Sequence, residues 1–118
     1  MGQGNTMNKK MNEILSKEFL KNMFLVECDS MKPFLKKGDI AIYEPIQKGR
    51  GLSSSVYLIK TKGYTAIKRV SFLAGGGIVI ISDSDQRREE VTKKDLKDIV
   101  FVGHVIGRII KDYSLYDS

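Results

Sequence analysis

The segment CDSMKP at 28–33 sets Ser30 between an aspartate and a methionine, with Pro33 three residues on and the turn sequence KKGD soon after. A serine hydroxyl is a weak nucleophile until a neighbouring base takes its proton, so the chemistry open to Ser30 depends on the base the chain supplies. The chain has one histidine, His104, and no Asp or Glu stands in a sequence relation that would orient it for a Ser-His-Asp triad. Strand alternation puts His104 on the side of Val102 and Ile106, where it reads as a packed or edge-of-core histidine. The other candidate base is lysine, which serves when burial penalises its charged form enough to supply a neutral amine near pH 7. In YTAIKRV (64–70), alternation gives Tyr64, Ala66, Lys68 and Val70 one face and Thr65, Ile67 and Arg69 the other. Lys68 therefore stands among small and apolar neighbours. Alone, a strand lysine reads as solvent-facing; in the company of DSMKP it becomes the candidate base.

The elements that must position these residues are mostly strands. After residue 23 the pattern is short apolar runs broken by turn residues, which predicts strands at 24–28, 39–44, 55–61, 64–72, 77–82 and 98–111. Lys62-Gly63 and the AGGG at 74–77 are hairpin signals, giving two antiparallel hairpins that share a strand. Gly103 and Gly107 inside the last strand predict bulges or bends, so that strand should coil. The stretch 45–55 reads as a polar, flexible loop, and 82–98, with charges of both signs, as a loop holding one helical turn. Before the strands, residues 7–22 carry Met7, Met11, Ile14, Leu15, Phe19 and Leu20 at helical spacing, predicting one amphipathic helix. A single helix with no partner across a turn is not a helix-turn-helix reader.

The 118 residues suit one domain: a leader or expression remnant at 1–6, then a single unit at 7–118 with the helix at 7–22 and a β-rich core at 23–111. With 42% apolar and 29% charged residues the composition is that of an ordinary globular protein. The lone Cys28 excludes an intramolecular disulfide and is expected to pack as a small hydrophobe. Apolar runs such as IVII at 78–81 fall far short of the roughly 20 residues a spanning helix needs. No apolar signal core opens the chain, so a cytoplasmic location is the expectation. The net charge of +6 is uneven: Lys48, Arg50, Lys60, Lys62, Lys68 and Arg69 lie in a stretch, 47–69, that has no acid. This reads first as a solvated face, with nucleic-acid proximity as the sharper alternative.

Taken together, CDSMKPFLKKGDIAIYEP, VYLIKTKGYTAIKRV, IVIISDSD and VGHVIGRII resemble, in that order, the LexA-like serine peptidases: the C-terminal domains of LexA and phage repressors, and the UmuD-type mutagenesis proteins. The resemblance covers about residues 23–111 and is carried by the serine and lysine segments, about forty residues apart. It implies a β-rich fold of twisted antiparallel strands, shared with signal peptidases. It also implies Ser30 as nucleophile and Lys68 as general base of a Ser-Lys dyad that needs neither metal nor cofactor. Backbone N–H groups near Ser30, its own included, would hold the oxyanion; Met31 would wall the site, Pro33 would stiffen the turn exit, and Gly38-Asp39 would form the next turn. The sequence departs from the family where Glu27 and Cys28 precede Asp29 in place of the usual glycine, and no Ala-Gly or Cys-Gly pair lies upstream of Ser30.

The expected function is thus that of the endopeptidase domain of a transcriptional regulator, cutting its own N-terminal arm or that of another copy. The partners so implied are a second subunit as homodimer, the peptide substrate, a RecA-type recombinase filament, and DNA only through an N-terminal domain absent from this chain, with no membrane. Two alternatives stand beside it. A soluble relative of the type I signal peptidases shares the Ser-Met-x-Pro and Lys-Arg elements, and a UmuD-like dimerisation or polymerase accessory module would keep the fold without using the dyad.

Overall fold

In the computed structural model the residues described are 22–47 and 51–111. They form seven strands: β1 (Met23–Leu25), β2 (Ile40–Pro45), β3 (Ser55–Thr61), β4 (Tyr64–Phe72), β5 (Ile78–Ser82), β6 (Arg87–Val91) and β7 (Ile99–Ile109). A 3-10 helix, Lys93–Asp98, leads into β7. All pairings are antiparallel, and the strands make one sheet in the order β1-β2-β7-β3-β4-β5-β6. The helix expected over 7–22 lies outside the described residues except for Asn22.

The β3–β4 hairpin turns through Lys62 and Gly63, whose φ angles of 49° and 82° are both positive. Two left-handed residues in a two-residue loop match the right-handed twist of the flanking strands, which is why Lys-Gly signals the turn. Alternate residues of β3 then feed opposite faces of the sheet. Val56 and Leu58 join Ile67, Ala41 and Val105 in one apolar cluster, while Tyr57 and Ile59 join Val70, Ile78, Ile80 and Val91 in the other. Each fully buried side chain of this size contributes roughly 1.5–3 kcal/mol relative to exposure. Both faces of β3, β4 and β5 are therefore covered, and the sheet has to curl.

The curl is built into β7. Ile42 faces Gly107 but Tyr43 faces Val105, leaving Ile106 as an extra residue; Leu58 faces Gly103 but Ile59 faces Phe101, leaving Val102 extra. Each bulge abuts one of the two glycines that predicted it. At Gly103 the need is steric, since a Cβ would stand 2.2 Å from Tyr43 Cδ2 and 2.9 Å from the Glu44 carbonyl oxygen. The bulges also overturn the expected alternation around His104. Val102 packs on the cluster containing Val105, while His104 shares its face with Phe101 and Tyr57.

Two further expectations change. The 82–98 stretch carries a whole strand, β6, besides its helical turn; at the sheet edge only Val91 is buried, so RREEV shows no apolar alternation to betray it. The 45–55 stretch packs at both described ends, with Ile46 and Leu52 against the second cluster and Tyr57 Oη donating to the Ser53 carbonyl at 2.5 Å.

Candidate active site

Ser30 lies on the loop between β1 and β2. The neck of the loop is closed by two backbone bonds, Val26 N–H to the Asp39 carbonyl at 2.9 Å and Gly38 N–H to the Val26 carbonyl at 2.8 Å. Asp39, only 2% exposed, accepts from the Lys36 N–H at 2.9 Å and the Lys111 N–H at 3.0 Å. A buried carboxylate so satisfied fixes the loop to the end of β7. Gly38, at φ 95°, makes the expected turn beside it. Asp29 accepts from the Lys37 N–H at 2.8 Å, and that bond holds its carboxyl below the usual carboxylate range.

The flank on the other side of Ser30 is anchored by burial. Met31 is 2% exposed and Leu35 fully buried, both in the first cluster. The Met31 side chain, expected to wall the site, is instead part of the core, and what it gives Ser30 is a fixed backbone. Phe34 lies between two guanidinium groups, Arg69 at 5.9 Å and Arg108 at 5.2 Å from its ring centre, and Arg108 also donates to the Phe34 carbonyl. The loop is thereby clamped against β4 and β7. The Ser84 N–H donates to the Ser30 carbonyl at 2.9 Å, tying the serine to the end of β5.

These anchors bring Ser30 to Lys68. Lys68 Nζ donates to Ser30 Oγ at 3.3 Å and to Ser82 Oγ at 2.8 Å. Lys68 is half-buried on β4, opposite Tyr57 of β3, with Val70 buried beyond it. Ser82 is the functional candidate that sequence reasoning missed. Its signal was the alternation of Ile78, Ile80 and Ser82, which ends an apolar run with a hydroxyl on the face of Lys68 across the hairpin. Next to Lys68, Arg69 points to the other face and makes a two-bonded pair with Asp83, Nε to Oδ1 at 2.9 Å and Nη2 to Oδ2 at 2.7 Å. Asp83 keeps the guanidinium firmly charged, and the pair pins β4 to the turn after β5, so the registers of Lys68 and Ser82 are locked together.

Cys28 is the fourth member of the group. It is exposed, against the expectation of a packed hydrophobe, because the loop turns its side chain toward Ser30: Sγ stands 3.3 Å from Ser30 Oγ. The Ser30 hydroxyl and then the Ser30 backbone N–H both favour the thiolate, and with a smaller contribution from Lys68 they bring the thiol below its ordinary range.

The sequence matches the Peptidase S24-like family over residues 4–106, well over half of the chain. The chain belongs to that family. No curated protein matches it. Membership in the Peptidase S24-like family agrees with the LexA-like resemblance of the serine and lysine segments, and with the curled antiparallel sheet.

Other residues of this Peptidase S24-like chain fall elsewhere. His104 Nε2 lies 2.8 Å from Ser55 Oγ, and its ring is 5.3 Å from that of Tyr57. Of the basic stretch, Lys48 and Arg50 lie outside the described residues, Lys62 pairs with Glu89 at 3.7 Å, Lys68 turns to Ser30, and Arg69, on the other face, pairs with Asp83. Among the described residues no group of three or more His, Cys, Asp or Glu is placed to hold a metal ion, and no helix is long and apolar enough to cross a membrane.

Proposed function

We propose that the chain is a serine endopeptidase domain of the LexA and phage-repressor kind, with Ser30 as nucleophile and Lys68 as general base. The observation that supports it above all is the 3.3 Å separation of Lys68 Nζ and Ser30 Oγ, made by two segments thirty-eight residues apart. In the reaction the neutral amine of Lys68 takes the Ser30 proton as Oγ bonds to the substrate carbonyl carbon. The resulting ammonium gives a proton to the leaving nitrogen as the C–N bond breaks. Water then attacks the acyl ester, giving its proton to Lys68, and Ser30 is regenerated. Ser82 holds the amine in line, and backbone N–H groups beside Ser30 would hold the oxyanion. Removing such a donor costs about 100 to 1,000-fold in rate.

Only an unprotonated amine accepts the Ser30 proton, so cleavage depends on the Lys68 side chain. The partners that accompany this reading are a second copy, an N-terminal arm as substrate, a recombinase filament as activator, and DNA through a further domain, in the cytoplasm.

One observation favours the accessory-module alternative. Cys28 Sγ lies as close to Ser30 Oγ as Lys68 does, and it competes for the hydroxyl proton. The two readings separate on a Ser30→Ala exchange in the full-length protein. The peptidase reading predicts that cleavage of its own chain or of a supplied copy disappears; unchanged cleavage or an unchanged cellular function contradicts it.

A further inference from the structure

At the β1-β2-β7 end the sheet has one covered face and one open face. Phe24, Ala41 and Arg108 stand in one cross-strand row, and Phe24 and Ala41 turn to the first apolar cluster. The residues between them in sequence point the other way: Leu25, Ile40 and Ile109 form one row, and Met23 and Ile42 the next, beside Gly107. These apolar side chains share the outer face, where Leu25 is 57% and Ile109 39% exposed. Along β2 the same face runs from Ile42 to Glu44, and through His104 to Tyr57, where it is buried as the second cluster. The apolar surface is thus covered over β3, β4 and β5 and left open over β1, β2 and β7. We infer that this open face is the docking site of segment 7–22 of the same chain, which covers it with its own apolar stripe.

The point of attachment favours this occupant. The Asn22 carbonyl accepts from the Tyr43 N–H at 3.0 Å, so the residue that joins the segment to β1 is already fixed beside β2. Met7, Met11, Ile14, Leu15 and Phe19 recur at helical spacing among lysines, glutamates and asparagines, which gives the segment one stripe to bury and one side for water. Residues 7–22 as a helix reach about 24 Å, and three paired strands span about 10 Å, so the stripe has length to cross both rows. The family match begins at residue 4, which counts the segment within the domain. A second copy is the competing occupant, but the joined segment meets the face at the high effective concentration of a tethered group. The cover also bears on the Ser30 loop. β1 pairs with β2 through Met23, Phe24 and Leu25 alone, and the next residue, Val26, closes the neck of that loop through Asp39 and Gly38. Docking therefore steadies β1 and the loop behind it, whether or not Ser30 is a nucleophile.

The test replaces Leu25 or Ile109 of the full chain, both exposed, with the photoreactive residue p-benzoylphenylalanine. Adducts are mapped by mass spectrometry in a mixture of heavy-isotope and unlabelled chains, which tells a bond within one chain from a bond between two. The expected main adduct falls within 7–22 of the same chain. Leu15→Asp, which puts a charge on the stripe, should lower its yield at least about tenfold, and Lys9→Asp, on the opposite side of the helix, should not. In the Leu15→Asp chain the amides of 23–26 should exchange faster by a similar factor while those of β4 and β5 keep their rates. Adducts on segment 7–22 of the other isotopic chain, or on β1, β2 or β7 of a second copy, overturn the assignment and make the face an interface between copies. No adduct in 7–22, or equal yields with and without Leu15→Asp, overturns it as well.

Discussion

Two places in this sheet pair a serine hydroxyl with a basic side chain. Ser55 Oγ and His104 Nε2 are 2.8 Å apart, closer than the 3.3 Å between Ser30 Oγ and Lys68 Nζ, and histidine is the commoner catalytic base. Yet the Ser55 pair sits inside the sheet. Ser55 opens β3, registered against Val70, and His104 is held in β7 between Tyr57 and Glu44. Ser30 stands on the loop between β1 and β2, with Ser82 orienting the base. A short serine-to-base distance therefore marks a nucleophile only together with its surroundings. The surroundings decide: a serine on a loop outside the paired strands, and a second hydroxyl aiming the base.

The comparison breaks most visibly on the bases themselves. Lys68→Met should lower cleavage by about four orders of magnitude, as loss of a member of a catalytic unit does, whereas His104→Gln should leave kcat/KM within about threefold. Equal losses in the two variants would erase the distinction. Next comes anchoring. Met31→Ala should destabilise the chain by about 2–5 kcal/mol in denaturant unfolding, because Met31 fills the core under the Ser30 loop. Activity should fall further than the unfolded fraction explains while the His104 NMR signals stay put.

Ser82→Ala removes the 2.8 Å bond that aims Lys68, so kcat should fall about 10 to 100-fold with KM little changed. A change in KM alone would make Ser82 a binding residue. Cys28→Ala should act at alkaline pH. The thiol ionises below its ordinary range, and the thiolate binds the Ser30 hydroxyl proton that Lys68 must take. The unaltered chain should then lose rate at high pH, and the variant should recover it several-fold; superimposable profiles exclude a role for the thiol.

The smallest effect concerns Asp29. Its folded-state carboxyl titrates below the unfolded one, so its contribution to the loop is complete above the unfolded carboxylate range and is lost as pH falls through the lower, folded value. Amide exchange in 26–39 should therefore quicken only in acid, and Asp29→Asn should bring that quickening to neutral pH. Exchange insensitive to both would remove Asp29 from the loop's supports.

Much of this was legible from residues alone because local rules govern it. Lys-Gly demanded a two-residue turn, which set β3 against β4 and fixed the face of Lys68. Gly103 and Gly107 announced the bend of β7. Other features depend on approach in space, which one-dimensional pattern does not carry. Met31 reads as a site residue beside Ser30, but the loop folds it inward. β6 is an edge strand whose solvent-facing residues show no alternation. Ser82 joins Lys68 only through the register of a neighbouring strand. The face expected for His104, shared with Val102 and Ile106, was wrong for a more particular reason: a bulge adds a residue, and the side chains beyond it change face.

The central claim is that Lys68 makes Ser30 a nucleophile. The most direct measurement is intact-mass and peptide mapping after exposure to a serine-directed fluorophosphonate, for the unaltered chain and for Lys68→Met. One adduct on Ser30, formed at least about 100-fold more slowly without the lysine, is the predicted result. Labelling of Ser55 in place of Ser30, or equal rates on Ser30 in the two chains, would contradict it.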